Sequence, residues 1–317
     1  MNEYTFEDAL ARGTVSCAYP GMVATRQPND KPLEPCEALF FPGCSLINYG
    51  MPLVQSVYNI LTDAGQVGGI SLVCCGKILE YEPDEGALRR RHEQDLRDRM
   101  AAVGVKKIIA ACPNCVFSLR RLLAEDERTR GIEVVPLPKV LVELGYRVGT
   151  SGAAEAAAKD ARMTASPVFS VHDSCPDRET GEFADALRTI MPQSMLVEPA
   201  HTRAHSFCCG SRPRAVGRAD VAQRMVDQHV AEARAAGANA IVTACVSCTL
   251  LLSKLQQELP VYHYLELLFN WRVPWDDVDQ YMKTRFLFDD VEGARSFVGL
   301  DGEGTAGDAA AQGEASC

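Results

Sequence analysis

The residues with the clearest chemical potential are ten cysteines that form two similar sets. Each set consists of a single cysteine, then a Cys-Cys-Gly triplet, then a Cys-x-x-Cys pair. The first set is Cys44, Cys74, Cys75, Cys112 and Cys115, and the second is Cys175, Cys208, Cys209, Cys245 and Cys248. Equivalent cysteines lie between 131 and 134 residues apart, as the residue numbers show. This nearly constant offset indicates that one unit has been duplicated.

Clustered thiolates are soft ligands that bind zinc, copper(I) or iron–sulfur clusters. A Cys-x-x-Cys pair at the start of a helix brings two thiolates together, and the helix amides favour deprotonated sulfur. Adjacent cysteines such as Cys74 and Cys75 rarely fit two corners of one tetrahedral metal, but they can reach different irons of a cluster. Five thiols also exceed the four that a structural zinc site needs. The sets therefore favour iron–sulfur clusters over structural zinc and over cysteines that only fill the core.

A glycine follows each Cys-Cys pair, Gly76 in the first half and Gly210 in the second. Glycine permits a positive φ and removes a Cβ atom where inorganic sulfur would crowd the backbone. We therefore expect both glycines to take part in cofactor binding.

The composition is that of a chain with a large core, since the 317 residues are 47% hydrophobic and include 13 cysteines. Secreted disulfide-rich proteins are usually short and poor in core residues, so we expect a reduced, cytoplasmic protein. The net charge of −10 argues against a nucleic-acid or anionic-membrane partner. The start of the sequence lacks the pattern of a secretory signal, and no apolar segment reaches the roughly 18 residues that would span a bilayer.

Short apolar runs alternate with helical periodicity through both halves of the chain. Such alternation predicts parallel sheets with right-handed crossovers. Each cysteine motif comes shortly after a predicted strand, and open parallel sheets bind ligands at the carboxyl ends of their strands. We therefore expect an α/β fold with two duplicated domains. Each domain is a small parallel sheet flanked by helices, with the cluster sites at the carboxyl ends of the strands.

The predicted domain boundaries follow changes in composition. Residues 1–37 are polar and are predicted to form an irregular extension, and residues 38–148 are predicted to form the first domain. The small and polar residues 149–166 are predicted to be a linker to the second domain, residues 167–292. Residues 293–317 are rich in Gly, Ala, Asp and Glu and are predicted to be a disordered tail. Three cysteines lie outside both sets and receive no ligand role, namely Cys17, Cys36 and Cys317.

The doubled cysteine motif resembles the CCG-domain iron–sulfur family, and it is most similar to the CCG-domain subunit of heterodisulfide reductases. The resemblance covers about residues 38–270. It implies that each complete set ligates one noncubane [4Fe-4S] cluster, so that the cofactors are two such clusters. In that family the two clusters face each other and cleave a disulfide by binding one sulfur each. Both sets are complete in this sequence.

The resemblance implies an oxidoreductase subunit that reduces a small disulfide, is active only in a complex and belongs to an anaerobic setting. The sequence has no Cys-x2-Cys-x2-Cys-x3-Cys-Pro run, so electrons must come from a partner. We expect a ferredoxin-like iron–sulfur subunit and a flavin subunit. Relatives in quinone-linked systems suggest an alternative, an electron-transfer subunit of a quinone- or flavin-linked dehydrogenase without its own catalysis. A third hypothesis is a protein with two structural zinc sites.

Residues beside the cysteines could add to the site. His172 precedes the first cysteine of the second set by three positions, where the first half has Phe41. It is the candidate catalytic residue, as a proton donor or as a group that orients a thiol, although a backbone-bonded histidine is the alternative. Arg212 and Arg214 could attract an anionic substrate or could be solvated surface charges. The basic run at residues 89–92 is expected on the polar face of a helix rather than in a nucleic-acid site.

Overall fold

The structure is a computed structural model that describes residues 2–19, 23–27, 32–81 and 86–275. Within these residues a three-stranded sheet precedes two four-stranded sheets with their helices. The predicted tail over residues 293–317 lies outside the described residues, and so do Cys317 and the last part of the predicted second domain.

The N-terminal sheet is antiparallel. Its strands are β1 (Asn2–Glu7), β2 (Thr14–Tyr19) and β3 (Val23–Gln27), paired in that order. The prediction that residues 1–37 are irregular is therefore wrong. The physical reason is an alternation of polar and apolar side chains that buries Phe6, Val15 and Cys17 while their neighbours stay more exposed.

The first repeat is built on a parallel sheet of four short strands. Its strands are β4 (Ala38–Phe41), β5 (Gly69–Ile70), β6 (Lys107–Ala110) and β7 (Glu133–Pro136). Its helices are α1 (Cys44–Tyr49), α2 (Met51–Asp63), α3 (Ala87–Ala102), α4 (Pro113–Ala124) and α5 (Leu137–Glu143). Strand β5 is shorter than its apolar run, because the next residues leave the sheet and Leu72 donates its backbone N–H to the Asp8 carboxylate at 2.8 Å.

The second repeat has the same organisation after an intervening helix, α6 (Thr150–Ala157). Its strands are β8 (Phe169–His172), β9 (Leu196–Val197), β10 (Ala240–Thr243) and β11 (Val261–His263). Its helices are α7 (Glu182–Ile190), α8 (Ser211–Ala215), α9 (Ala219–Ala235), α10 (Val246–Leu255) and α11 (Tyr264–Leu268).

The two sheets share one topology. The first sheet has the strand order β5–β4–β6–β7 and the second has β9–β8–β10–β11. In each repeat the second strand in the sequence is therefore an edge strand beside the first. All pairings within both sheets are parallel. The predicted fold class, two duplicated parallel α/β units, is confirmed.

Burial explains why the strands form where they do. Strands β8 and β10 are buried at every position, which is typical of a parallel sheet covered by helices on both faces. In α2 the apolar residues recur at helical spacing, and Leu53, Val57 and Leu61 are buried on one side. One hydrophobic cluster contains residues of the N-terminal sheet and of both repeats.

The predicted linker contains the helix α6 and is packed against the second repeat. Its alanines favour a helix, and Ala153, Ala156 and Ala157 are buried. The Tyr262 hydroxyl donates a 2.9 Å hydrogen bond to the carbonyl oxygen of Ala157. Small residues often indicate a flexible connection, whereas here they allow close approach between a helix and its neighbours.

The longest described helix, α9, has 17 residues and buries only one side, at Ala222, Val226, Val230 and Ala233. Charged residues such as Asp227 and Arg234 occupy its other positions. No helix in the described ranges is long and apolar enough to cross a membrane.

The N-terminal sheet is joined to the first repeat by Asp8, and this contact is testable. Its buried carboxylate accepts the N–H groups of Leu10 and Leu72, both at 2.8 Å. We expect Asp8→Ala to lower the free energy of unfolding by about 2–4 kcal/mol, because buried donors lose a charged acceptor. Denaturant unfolding monitored by circular dichroism measures this.

Asp63→Ala is the matched control, since Asp63 is exposed at the end of α2 and its loss should change the free energy by about 0.5 kcal/mol or less. Equal unfolding midpoints for the two variants would contradict a bridging role of Asp8.

Candidate metal centre

The single cysteine and the Cys-x-x-Cys pair of each set lie just past the ends of the two central strands of its sheet. In the first repeat, Cys44 begins α1 after β4, and Cys112 is the N-cap residue of α4 after β6. In the second, Cys175 begins a short 3₁₀ turn after β8, and Cys245 is the N-cap residue of α10 after β10. Parallel strands end at one edge of their sheet, so this topology gathers cysteines that are distant in sequence.

The five thiols of the first set form a continuous series of contacts. The Cys74 thiol lies 3.8 Å from Cys44 Sγ and also contacts Cys75. Cys75 contacts Cys115, which in turn contacts Cys112. Cys74, Cys75 and Cys115 are buried, whereas Cys44 and Cys112 are partly exposed. The set is therefore compact and includes two residues that are partly exposed.

The second set repeats this order of contacts. Cys175 contacts Cys208, which contacts its neighbour Cys209. Cys209 contacts Cys248, and Cys248 contacts Cys245. Cys175 and Cys208 are the partly exposed members. Because equivalent cysteines contact one another in the same order, the duplication extends to the geometry of the site.

The two sets meet at the boundary between the repeats. Cys112 and Cys245, which are equivalent cysteines, are within hydrogen-bonding distance of each other. Asn114 Nδ2 lies 3.8 Å from Cys245 Sγ, and the hydroxyls of Ser45 and Ser247 are 3.2 Å apart. No disulfide joins cysteines within the described part of the chain. The structure thus brings all ten predicted ligand cysteines into one sulfur-rich region.

A backbone amide donates a hydrogen bond to the first thiol of each Cys-Cys pair. The N–H of Gly76 donates to Cys74 Sγ at 3.4 Å, and the N–H of Gly210 donates to Cys208 Sγ at the same distance. The φ angles are +77° at Gly76 and +102° at Gly210, which is the left-handed region that glycine favours. A hydrogen bond to sulfur stabilises the thiolate that a metal needs.

The space beside each glycine is filled by a helix of the protein. A Cβ atom on Gly76 would lie 2.7 Å from His92 Cδ2 in α3, and one on Gly210 would lie 2.9 Å from the Ala222 carbonyl oxygen in α9. Close helix packing is therefore sufficient reason for glycine at both positions. Their predicted part in cofactor binding stays a prediction.

Two histidines that hydrogen-bond to the Cys-Cys-Gly loops were not predicted from the sequence. His92 Nε2 donates to the carbonyl oxygen of Cys74 at 2.9 Å, and His229 Nε2 donates to that of Cys208 at 3.2 Å. His92 is 1% exposed, so the expectation that residues 89–92 all lie on a polar helix face is wrong for this member. Comparing the two repeats could have found the pair, since each long helix after a Cys-Cys-Gly motif contains one.

Contacts among the thiols lower the pKa of some cysteines and raise the pKa of others. Hydrogen bonds from neighbouring thiols, above all from Cys115 and from Cys175, lower the pKa of Cys112 in the first set and of Cys208 in the second. The bond to Cys208, together with burial, raises the pKa of Cys209 to about 12. A metal would have to displace protons from the thiols with raised pKa values, as is usual for cysteine sites.

His172 lies against the second set. It is 5% exposed, and its Nε2 has no hydrogen-bond partner among the residues that the structure describes. A ring nitrogen of His172 and the sulfurs of Cys209 and Cys248 all lie within 4.8 Å of one another. Burial, with a smaller effect of nearby His229, lowers the pKa of His172 well below its usual value, which favours the neutral ring.

The neighbouring Asp173 has a structural contact that positions this loop. Its carboxylate accepts two hydrogen bonds from the Arg188 guanidinium, at 2.8 and 2.9 Å, and one from the backbone N–H of Arg203 at 2.7 Å. Such a buried bidentate pair holds the backbone in a single arrangement. Asp173 therefore fixes the segment between His172 and Cys175.

The donor set fits a soft metal centre. Thiols in contact, amide hydrogen bonds to sulfur and water-poor surroundings are the features that iron–sulfur and other thiolate sites use. Five thiols per set exceed the four ligands of a structural zinc. The clustered cysteines therefore suit an iron–sulfur or related metal-binding role.

The glycine positions allow a direct test. We expect Gly210→Ala to lower the free energy of unfolding by about 2 kcal/mol or more, because it combines a left-handed φ with a backbone clash. It should also reduce the metal bound per chain. Thermal unfolding and metal analysis of the same samples measure both effects.

Gly152→Ala adds the same methyl group in α6, where no atom lies within 4 Å of the new Cβ. This control should be neutral or more stable by up to about 1 kcal/mol. If Gly210→Ala matched the control in stability and metal content, the close approach of α9 would not matter.

Comparison with known proteins identifies the repeated unit. The family model of the CCG cysteine-rich domain matches residues 38–120 and 169–253, one match in each repeat and together more than half of the chain. No curated protein sequence matches.

Solved structures give only weak similarity. A glutamate racemase of Bacillus anthracis has a TM-score of 0.35 at 11% identity, covering 74% of this chain and 78% of that one. An aspartate racemase of Picrophilus torridus scores 0.32 at 13%, covering 73% and 90%. A putative Asp/Glu racemase of Yersinia pestis scores 0.31 at 12%, covering 74% and 96%. Scores this low carry no argument about fold or function, whereas the two family matches coincide with the two thiol sets. The chain therefore belongs to the family of CCG cysteine-rich domain proteins and contains that domain twice.

Proposed function

We propose that this chain is the iron–sulfur subunit of a heterodisulfide-reductase-like complex and reduces a small disulfide. The observation that carries the proposal is the contact between two complete thiol sets through Cys112 and Cys245. Reduction of a disulfide takes two electrons at one S–S bond. Two adjacent one-electron centres suit this reaction, because both electrons can be delivered at one place.

Each set would hold one [4Fe-4S] cluster of the noncubane type, and these clusters would supply the electrons. The first would be held by Cys44, Cys74, Cys75, Cys112 and Cys115, and the second by Cys175, Cys208, Cys209, Cys245 and Cys248. The sulfur-rich donor sets and their amide hydrogen bonds support this assignment.

The proposed reaction breaks one S–S bond and takes up two electrons and two protons, so that two thiols are released. The electrons would come from a ferredoxin-like iron–sulfur subunit, itself reduced by a flavin subunit. A small disulfide would approach from the side of the partly exposed cysteines, Cys175 and Cys208 in the second set. Arg212 and Arg214 are exposed in α8, directly after the second Cys-Cys-Gly motif, and would favour an anionic disulfide.

Chain purified without oxygen tests the proposal. We expect about eight irons per chain and an electron paramagnetic resonance signal that changes when a disulfide or thiol is added. Cys245→Ser should remove iron from the second set, because one sulfur ligand is lost, and should abolish disulfide turnover in the assembled complex. Iron and sulfide analysis with spectroscopy measures this.

Cys36→Ala is the matched control. Cys36 is buried outside both sets and donates its thiol hydrogen to the Ala38 carbonyl oxygen, so iron content should be unchanged. Two zincs and no iron would contradict the proposal. A full iron content without a response to any disulfide would instead favour an electron-transfer subunit of a quinone- or flavin-linked dehydrogenase.

A further inference from the structure

The two repeats differ in one side chain at equivalent places beside the thiols. Phe41 ends β4 and pairs with Ala110, and His172 ends β8 and pairs with Thr243. Each lies three residues before the first cysteine of its set, and both are buried. The first set therefore has a benzyl ring where the second has an imidazole, which is a potential donor.

The surroundings of His172 leave its Nε2 directed to no other protein group within the described residues. A buried polar atom without a partner is costly, so native proteins usually provide it with one. On one side the His172 ring contacts the His229 ring edge to face, with 4.5 Å between the centroids and an interplanar angle of 87°. His229 is itself stacked on Phe207 at 3.9 Å. Packing of these rings restricts how the imidazole can turn.

Among the described residues, the thiols that lie together with a ring nitrogen of His172 are those of Cys209 and Cys248. An imidazole nitrogen and two cysteine sulfurs within 4.8 Å of one another are donors that can share one metal site. Cys209 and Cys248 also contact each other, so the three donor atoms lie close together. Phe41 offers nothing comparable to the equivalent cysteines of the first set.

We propose that His172 is a nitrogen ligand of the metal centre held by the second set, so that the two centres of this chain are chemically different. This inference rests on the proposed metal-binding role of that set. Imidazole is a neutral donor, and an iron bound by histidine in place of cysteine has a higher reduction potential. The two centres then differ in reduction potential, and the second is the more easily reduced.

The test is pulsed electron paramagnetic resonance on the full chain, purified without oxygen and reduced. We expect a nitrogen coupling as strong as that of a directly bound imidazole, altered when the histidines are labelled with ¹⁵N. His172→Phe copies the residue of the first repeat and should lose the coupling. His172→Cys replaces one donor by another, so it should keep the metal, lose the coupling and lower the reduction potential of one centre.

His229→Gln is the control, because it removes the adjacent imidazole while an amide can still donate to the Cys208 carbonyl oxygen. The coupling should persist in it. If His172→Phe fails to fold, His172→Cys decides. A wild-type centre that contains iron but shows no coupling, or only the weak coupling of a hydrogen-bonded nitrogen, would overturn this inference and leave the proposed function intact. Protein without iron would overturn both.

Discussion

The structure depends on one property of parallel sheets, which is that all their strands end at the same edge. In each repeat the single cysteine and the Cys-x-x-Cys pair follow the two central strands of the sheet, β4 and β6 or β8 and β10. A strand order in which these two strands were not neighbours would separate the thiols. Because both repeats use the same order, the two edges present matching sets, and these meet where Cys112 contacts Cys245.

Contacts below the thiols prepare this edge for ligands. Each Cys-Cys-Gly loop is held by an amide bonded to sulfur, by a glycine in the left-handed region and by a histidine from the following long helix. His92 and His229 each donate a hydrogen bond to the backbone carbonyl oxygen of a cysteine. This bond orients the cysteine side chain without involving its sulfur. A site supported in this way loses little freedom when it binds a metal.

Duplication has left the two halves similar in architecture but different in detail. The first repeat is braced by the N-terminal sheet, since Asp8 accepts the N–H of Leu72 two residues before Cys74. In the second, the buried Asp173–Arg188 pair fixes the segment before Cys175. The exchange of Phe41 for His172 places a chemical difference directly beside the sulfurs of the second set. The two thiol sets therefore share one architecture and differ in the side chain beside them.

The sequence by itself determined the fold class and the convergence of the ten cysteines, because motif spacing and strand–helix alternation are local patterns with a simple geometric consequence. It also indicated a soft metal site, because five thiols in one repeated arrangement have few other uses. The polar–apolar alternation of β2 was interpreted as an irregular extension, and the alanines of α6 were interpreted as a linker. Both interpretations failed because these elements depend on packing against distant partners such as Tyr262. Only the tertiary structure decided that Cys112 meets Cys245, that His92 is buried and that His172 lies beside Cys209. Those contacts join residues whose separation in the chain contains no information about their distance in space.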